Sequence, residues 1–176
     1  YATYGMTETI SHIAIREINA EAVNAYQVLD GITIETDPRN CLKINAPQLL
    51  EESITTNDSV ELTSPTTFIW KGRFDNVINT GGVKVFPEAI ENKIETLINL
   101  PVIIAGVPSK KWGEKIILMI ESETLNIEGL SNQLKSILNN IENPKSIFLV
   151  PKFIRTENGK VSRNKTLGLL PNLRYD

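Results

Sequence analysis

A change of periodicity near Lys71-Gly72 constrains this 176-residue chain more than any other feature. Before it, apolar residues come in short β-rich runs broken by polar turns: Val28 to Thr36, Cys41 to Ala46, Ser59 to Thr63 and Thr67 to Lys71. Such runs predict strands of a small sheet or barrel. Thr55-Thr56-Asn57-Asp58 reads as a turn-forming cluster between them. After the break the pattern alternates between element types. Asn76 to Asn79 and Val83 to Phe86 flank Thr80-Gly81-Gly82, which predicts a hairpin with a glycine tip. Pro87 suits a helix first turn, with Glu88 and Glu91 favoured by the helix dipole. Ile90, Ile94, Leu97 and Ile98 share one face of that helix, which Pro101 ends. Val102 to Val107, Ile116 to Glu121 and Ser146 to Val150 are strand candidates. Ile127, Leu130, Leu134, Ile137 and Ile141 form a second amphipathic face. The expected class is α+β: a β-rich subdomain over residues 1–72, then an α+β domain over 73–176 with a hairpin, a small sheet and two helices.

Composition narrows the function classes. The net charge of −3 gives no hint of nucleic-acid binding. Cys41 is the only cysteine, which rules out an internal disulfide and a thiolate zinc cluster. His12 is the only histidine, and nothing around it suggests a triad or a multi-histidine metal site. No apolar run approaches the roughly 20 residues of a membrane span. Tyr1-Ala2-Thr3-Tyr4-Gly5 lacks the basic start and apolar core of a signal peptide, so a soluble, cytoplasmic setting is the expectation. The chain opens without methionine and enters a glycine turn at once, which reads as a piece of a longer protein.

Four stretches carry chemistry. In Glu157-Asn158-Gly159-Lys160 a tight turn presents a lysine at a loop tip. It is either a solvated surface residue or a mobile cation able to neutralise phosphate and carboxylate charge. Gly72-Arg73-Phe74-Asp75 sits at the periodicity break, as a surface pair or as an interdomain hinge. Gly81-Gly82 either completes a hairpin or lets an extended ligand approach bare backbone. Tyr4-Gly5-Met6-Thr7-Glu8-Thr9 offers hydroxyls and a carboxylate for a magnesium-bound phosphate, or a helix N-cap at Thr7 or Thr9.

Their order and spacing together resemble the adenylate-forming (AMP-binding) superfamily of acyl-CoA synthetases, firefly luciferase and nonribosomal adenylation domains. The family pattern Tyr-Gly-x-Thr-Glu matches Tyr4-Gly5-Met6-Thr7-Glu8. Thr-Gly-Asp matches Thr56-Asn57-Asp58, with asparagine in place of glycine. Gly-Arg-x-Asp, Gly-Gly and Pro-x-x-Ile-Glu match Gly72 through Glu91, and Gly-Lys-x-x-Arg matches Gly159-Lys160-Val161-Ser162-Arg163. Arg73 follows Asp58 by fifteen positions (73 − 58), as the pattern requires. The stretches Tyr4 to Ala14 and Phe68 to Gly82 are similar to o-succinylbenzoate–CoA ligases of menaquinone synthesis.

The resemblance implies a two-step ligase that uses ATP, Mg2+ and coenzyme A. A carboxylate first attacks the α-phosphate and releases pyrophosphate; the acyl-adenylate then passes its acyl group to the thiol of coenzyme A. It implies that Thr7 contacts the α-phosphate, Glu8 helps hold magnesium and Tyr4 lies against the adenine. Asp58 would bind both ribose hydroxyls, with Arg73 reaching the ribose or phosphate. Lys160 would be the adenylation lysine, Asp75 the hinge, and Gly81 and Gly82 the wall of the pantetheine channel. Residues 1–72 become the end of the large AMP-binding domain and 73–176 a mobile lid. The implied partners are a small carboxylic acid, ATP, coenzyme A and the remainder of the protein's own N-terminal domain, with no nucleic acid and no membrane span.

The Ser/Thr/Gly-rich phosphate loop that the family carries has no counterpart in these 176 residues. The isolated chain is therefore expected to be inactive. His12 follows the adenylate turn, either facing the acyl pocket or serving structure. Another acyl- or aryl-CoA synthetase and a carrier-protein-loading adenylation domain are the alternatives. The ending at Asp176, soon after the lysine motif, suits a free-standing CoA ligase.

Overall fold

A computed structural model describes residues 1–18 and 24–170, which divide into two compact units, Tyr1–Asp75 and Asn76 onward. The first unit is one antiparallel sheet of seven strands: β1 (Ala2–Gly5), β2 (His12–Arg16), β3 (Tyr26–Val28), β4 (Thr33–Thr36), β5 (Cys41–Asn45), β6 (Ile54–Ser64) and β7 (Thr67–Arg73). Their spatial order is β1-β2-β3-β7-β6-β5-β4. Alternation along the strands sends one set of side chains inward. Ile13, Val28, Leu42, Ile44, Val60 and Phe68 form that core, with Tyr4, Tyr26 and Trp70 packed against it. The Tyr26 and Phe68 rings stack at 5.4 Å, and Tyr4 meets both edge-on. Each such pair contributes about 1 kcal/mol beyond its buried area.

Two expectations for this unit need correction. The run from Val28 to Thr36 is two strands, because Gly31 turns the chain at φ +81° between β3 and β4. Thr55 to Asp58 is strand rather than turn, since β6 starts at Ile54. The polar cluster marks a bulge instead. Between the pairs Cys41↔Ser59 and Lys43↔Thr55, β5 advances two residues (43 − 41) while β6 advances four (59 − 55). The two extra residues bend β6 and re-aim Asn57 and Asp58, which is a common use of bulges near functional sites.

The second unit is a mixed sheet with helices on both faces. β8 (Ile78–Thr80) and β9 (Val83–Val85) form the expected hairpin. β10 (Val102–Ser109) and β11 (Gly113–Glu121) pair antiparallel, and β12 (Ser146–Val150) runs parallel to β11. The helices are α1 (Pro87–Ile98), α2 (Ile127–Ile137) and α3 (Arg163–Leu167). Pro87 opens α1, as expected, but Asn99 closes it in the left-handed conformation at φ 52°, two residues before Pro101. Asn126 caps α2 by accepting from the Gly129 amide at 3.1 Å. Ile141 lies beyond α2 and is exposed, so it is not part of that helix face.

β10 shows why this sheet is covered twice. Val102 and Ile104 point to the face packed by Ile90 and Ile94 of α1 and Leu130 and Leu134 of α2. Ile103, Ala105 and Val107 point to the other face, with Ile117, Met119 and Phe153, and Leu167 of α3 packs there. A strand buried on both faces is a continuous apolar run rather than an alternating one, and Ile116 to Ile120 of β11 is such a run. The third helix, α3, corrects the expected pair. It is only five residues long, too short to leave a helical period.

Candidate functional site

In the first unit the geometry centres on Asp58. The register sets Asp58 of β6 directly opposite Arg73 of β7. The fifteen-residue spacing is thus the arc of one hairpin. One carboxylate oxygen of Asp58 accepts from the Tyr4 hydroxyl at 2.6 Å and the other from the Trp70 indole N–H at 3.1 Å. Its backbone amide donates to Thr56 Oγ1 at 3.0 Å. Burial, and then the neighbouring Asp58 carboxylate, push the Tyr4 hydroxyl well above its ordinary value of 10, so it remains a donor. A carboxylate offers about four acceptor positions. Two are used here, which leaves one on each oxygen, enough for a pair of vicinal hydroxyls.

Trp70, inside the Phe68 to Gly82 stretch, is a functional donor that no sequence motif marks. No local pattern reveals it, because the contact bridges twelve residues of hairpin. Arg73 donates through Nη2 to Asp75 Oδ2 at 2.8 Å, and Asn57 donates to the same oxygen at 3.3 Å. Thr7 and Glu8 are exposed on a single 3-10 turn, Thr7–Thr9. That turn is closed by Thr9, whose hydroxyl accepts from the Met6 amide at 3.1 Å. The N-cap is Met6 rather than Thr7 or Thr9. His12 is exposed on β2.

Magnesium is the one metal the resemblance implies. Among the described residues no three acidic, cysteine or histidine side chains converge. Glu8 supplies a single exposed carboxylate. That donor set fits a magnesium ion held mainly by phosphate and water, which commonly needs only one or two protein carboxylates.

The second unit carries the other expected residues. Gly81 and Gly82, at φ +58° and +81°, close the β8–β9 hairpin in the conformation that two-residue turns favour. A cleft of about 210 Å³ lies beside Gly81, with Trp112 and Lys145 among its walls. A β-carbon at Gly82 would meet nothing within 4 Å, whereas one at Gly81 would touch the Trp112 ring at 3.3 Å. Gly82→Ala is thus expected to cost only the backbone strain, about 1–2 kcal/mol. Chemical denaturation of the 176-residue chain checks this, and Gly81→Ala is expected to cost more.

Lys160 stands exposed on a hairpin loop. The Thr156 amide donates to Lys160 O at 2.7 Å, the Gly159 amide to Thr156 O at 2.9 Å, and Arg155 bridges Val161. Of the Asn-Gly pair only Gly159 takes positive φ, +77°. Arg155 meets Glu121 through both guanidinium ends, at 2.7 and 2.5 Å. That partner holds the Glu121 carboxyl below its ordinary 4.5. A depressed carboxyl stabilises the fold above its unfolded value and loses that contribution as pH falls through the folded one. The unfolding midpoint is therefore expected to drop as pH falls below about 4.5, and less steeply in Glu121→Gln. Glu91 and Arg163 form a second such pair, in which burial pushes the Glu91 carboxyl up.

The chain is similar in sequence and in fold to known proteins. The chain is 31% identical over 100 residues to the 2-succinylbenzoate–CoA ligase of Listeria monocytogenes, a match that takes in 56% of this chain and 21% of that protein. It is 31% identical over 123 residues to a 4-chlorobenzoate–CoA ligase of Arthrobacter, 67% of this chain and 23% of that one. Each match therefore takes in less than a quarter of the length of those curated relatives. Among solved structures, an AMP-forming acyl-CoA synthetase-like protein of Dyadobacter fermentans is 35% identical, with a TM-score of 0.54, over 96% of this chain and 50% of that one. No family model matches. The homologues of this chain are CoA ligases, and its fold is that of the C-terminal part of AMP-forming synthetases. The o-succinylbenzoate–CoA synthetase of Bacillus subtilis, solved with its acyl-adenylate, shares that fold at a TM-score of 0.83 and 18% identity, over 98% of this chain and 41% of that one. Among the described residues no helix is long and apolar enough to cross a membrane.

Proposed function

We propose that this chain is the C-terminal part of an ATP-dependent acid–CoA ligase, with o-succinylbenzoate as its acid. The observation that carries the reading is the Asp58 cluster. A carboxylate held by Tyr4 and Trp70, with one acceptor position open on each oxygen and Arg73 opposite, is built to grip a ribose. It occurs in a chain whose homologues are CoA ligases, two of them 2-succinylbenzoate–CoA ligases at 31% identity.

In this reading Asp58 binds both ribose hydroxyls, Tyr4 lies against the adenine and Arg73 reaches the ribose or phosphate. Thr7 contacts the α-phosphate. Glu8 would hold magnesium, which supplies charge neutralisation at the phosphates. Lys160 bridges the acid's carboxylate and the α-phosphate, offsetting the repulsion between two anions that must meet. Residues 1–72 are the end of the large domain, 73–176 a mobile lid, and Asp75 its hinge. Gly81 and Gly82 line the channel for the pantetheine arm, where bare backbone lets an extended chain pass.

The Arthrobacter relative favours a second reading, a different aromatic acid. Thioester formation by the full-length protein, offered o-succinylbenzoate, 4-chlorobenzoate and a long-chain fatty acid with ATP and coenzyme A, separates the readings. The expected result is the largest kcat/KM for o-succinylbenzoate. A larger value for either other acid would overturn that choice of substrate.

A further inference from the structure

Two sequence motifs share one part-buried ion pair. Arg163, three residues after Lys160, donates from Nη1 to Glu91 Oε1 at 2.6 Å and from Nη2 to Glu91 Oε2 at 2.9 Å. The partners lie 72 residues apart, and their side chains are only 22% and 13% exposed. Nη1 also donates to the Ile104 carbonyl at 2.5 Å, while Glu91 Oε1 accepts from the Ile104 amide at 2.7 Å. Ile104 lies on β10, the end strand of the sheet path. An edge strand leaves alternate backbone groups without a strand partner. Here α1 supplies one: Glu95 accepts from the Val102 amide at 3.3 Å and Glu91 from the Ile104 amide. Residues i and i+4 of a helix and i and i+2 of a strand span similar lengths, so the two carboxylates match the two amides. Arg163 then closes the assembly from the far side of the chain.

The opposite arm of the Lys160 hairpin is held in the same manner. Arg155 engages Glu121 at the end of β11, and Glu121 also accepts from the Phe153 amide at 2.9 Å. The arms are tied to each other by Ser162 N–H to Ile154 O at 2.8 Å, and the Ile154 amide donates to Thr166 Oγ1 at 3.1 Å from α3. Lys160 itself therefore sits on a short loop between two forked Arg–Glu anchors. A guanidinium fork fixes orientation as well as distance, which a lysine ammonium does not.

We propose that Arg163 and Glu91 are positioning residues for Lys160, setting through the hairpin the place where its ammonium is presented. This rests on the ligase reading for its catalytic consequence but not for its structural one. Backbone order measured by 15N relaxation on the 176-residue chain tests the structural part. In the native chain the amides of Gly159 and Lys160 should be as ordered as those of Ile117 and Leu118, with order parameters of about 0.85. In Arg163→Met they should fall below about 0.6 while Ile117 and Leu118 keep their values. Arg163→Lys keeps the charge without the fork and should show an intermediate fall, which also serves if Arg163→Met does not fold. Unchanged order at Lys160 in Arg163→Lys, or an equal fall throughout the unit, would overturn the proposal.

The second arm is kinetic. In the full-length protein Arg163→Lys should lower kcat for acid-dependent pyrophosphate release by about ten-fold, the scale of one impaired charged hydrogen bond. The KM values for ATP and acid should stay within about two-fold, since positioning for the transition state is lost rather than ground-state binding. Equal loss in thioester formation from supplied acyl-adenylate would also overturn the proposal. If Lys160→Ala leaves pyrophosphate release intact, the ligase reading fails, and the order parameters still decide whether the pair holds the loop.

Discussion

Lys160→Ala in the full-length protein is expected to lower acid-dependent pyrophosphate release by about 10²–10³-fold, the loss typical of removing one group aimed at developing charge. Thioester formation from supplied acyl-adenylate should be largely spared. The physical basis is the meeting of two anions, a carboxylate and an α-phosphate, which only a cation placed between them makes favourable. Lys160 is exposed, on a loop whose backbone is fixed by hydrogen bonds rather than by packing of the side chain. Its replacement therefore leaves the core untouched, and stability should change by less than about 0.5 kcal/mol. Separate assays of the two half-reactions provide the check. Equal loss in both would remove Lys160 from the adenylation step.

Asp58→Ala is expected to act on both binding and fold. Two ribose hydroxyls lose a charged acceptor, each such bond contributing about 1.5–3 kcal/mol. The Kd for ATP should rise by about 10²-fold or more. The substitution also strands the Tyr4 hydroxyl and the Trp70 N–H, both part-buried. Unmade bonds of that kind cost about 1–3 kcal/mol each. Asp58→Asn separates the effects. Its amide oxygen still accepts from one donor, and the Tyr4 hydroxyl can rotate to accept from the amide nitrogen. Stability should largely return while nucleotide affinity stays low. Calorimetric titration with ATP, beside denaturation of the same variants, reads the two losses apart. An Asp58→Asn variant that binds ATP as the native protein does would refute the ribose assignment.

Local periodicity carried much of the fold. β5, α1, β12 and the Gly81-Gly82 hairpin each leave a pattern within a dozen residues, and the structure has them where that pattern put them. What escaped was set by partners far along the chain. Thr55 to Asp58 looks like a turn because its residues are polar, yet β5 and β7 flank it and hold it as a bulged strand. α3 escaped because five residues are too few to show a period; its buried Thr166 is fixed by the Ile154 amide twelve residues back.

The candidate site divides in the same way. Its residues were named from motifs, but the bonds among them were not legible. Tyr4 and Asp58 are 54 positions apart, and Glu91 and Arg163 are 72 apart. Glu91 and Arg163 fall within two separate motifs, and neither motif shows that the two side chains meet. A forked ion pair joins the two stretches.

The most direct test of the central proposal is the identity of the nucleotide product. The full-length protein, given o-succinylbenzoate, MgATP and coenzyme A, should yield AMP and pyrophosphate together with the CoA thioester, and no AMP when the acid is left out. Formation of ADP and phosphate in their place, or AMP release that does not depend on any acid, would contradict it.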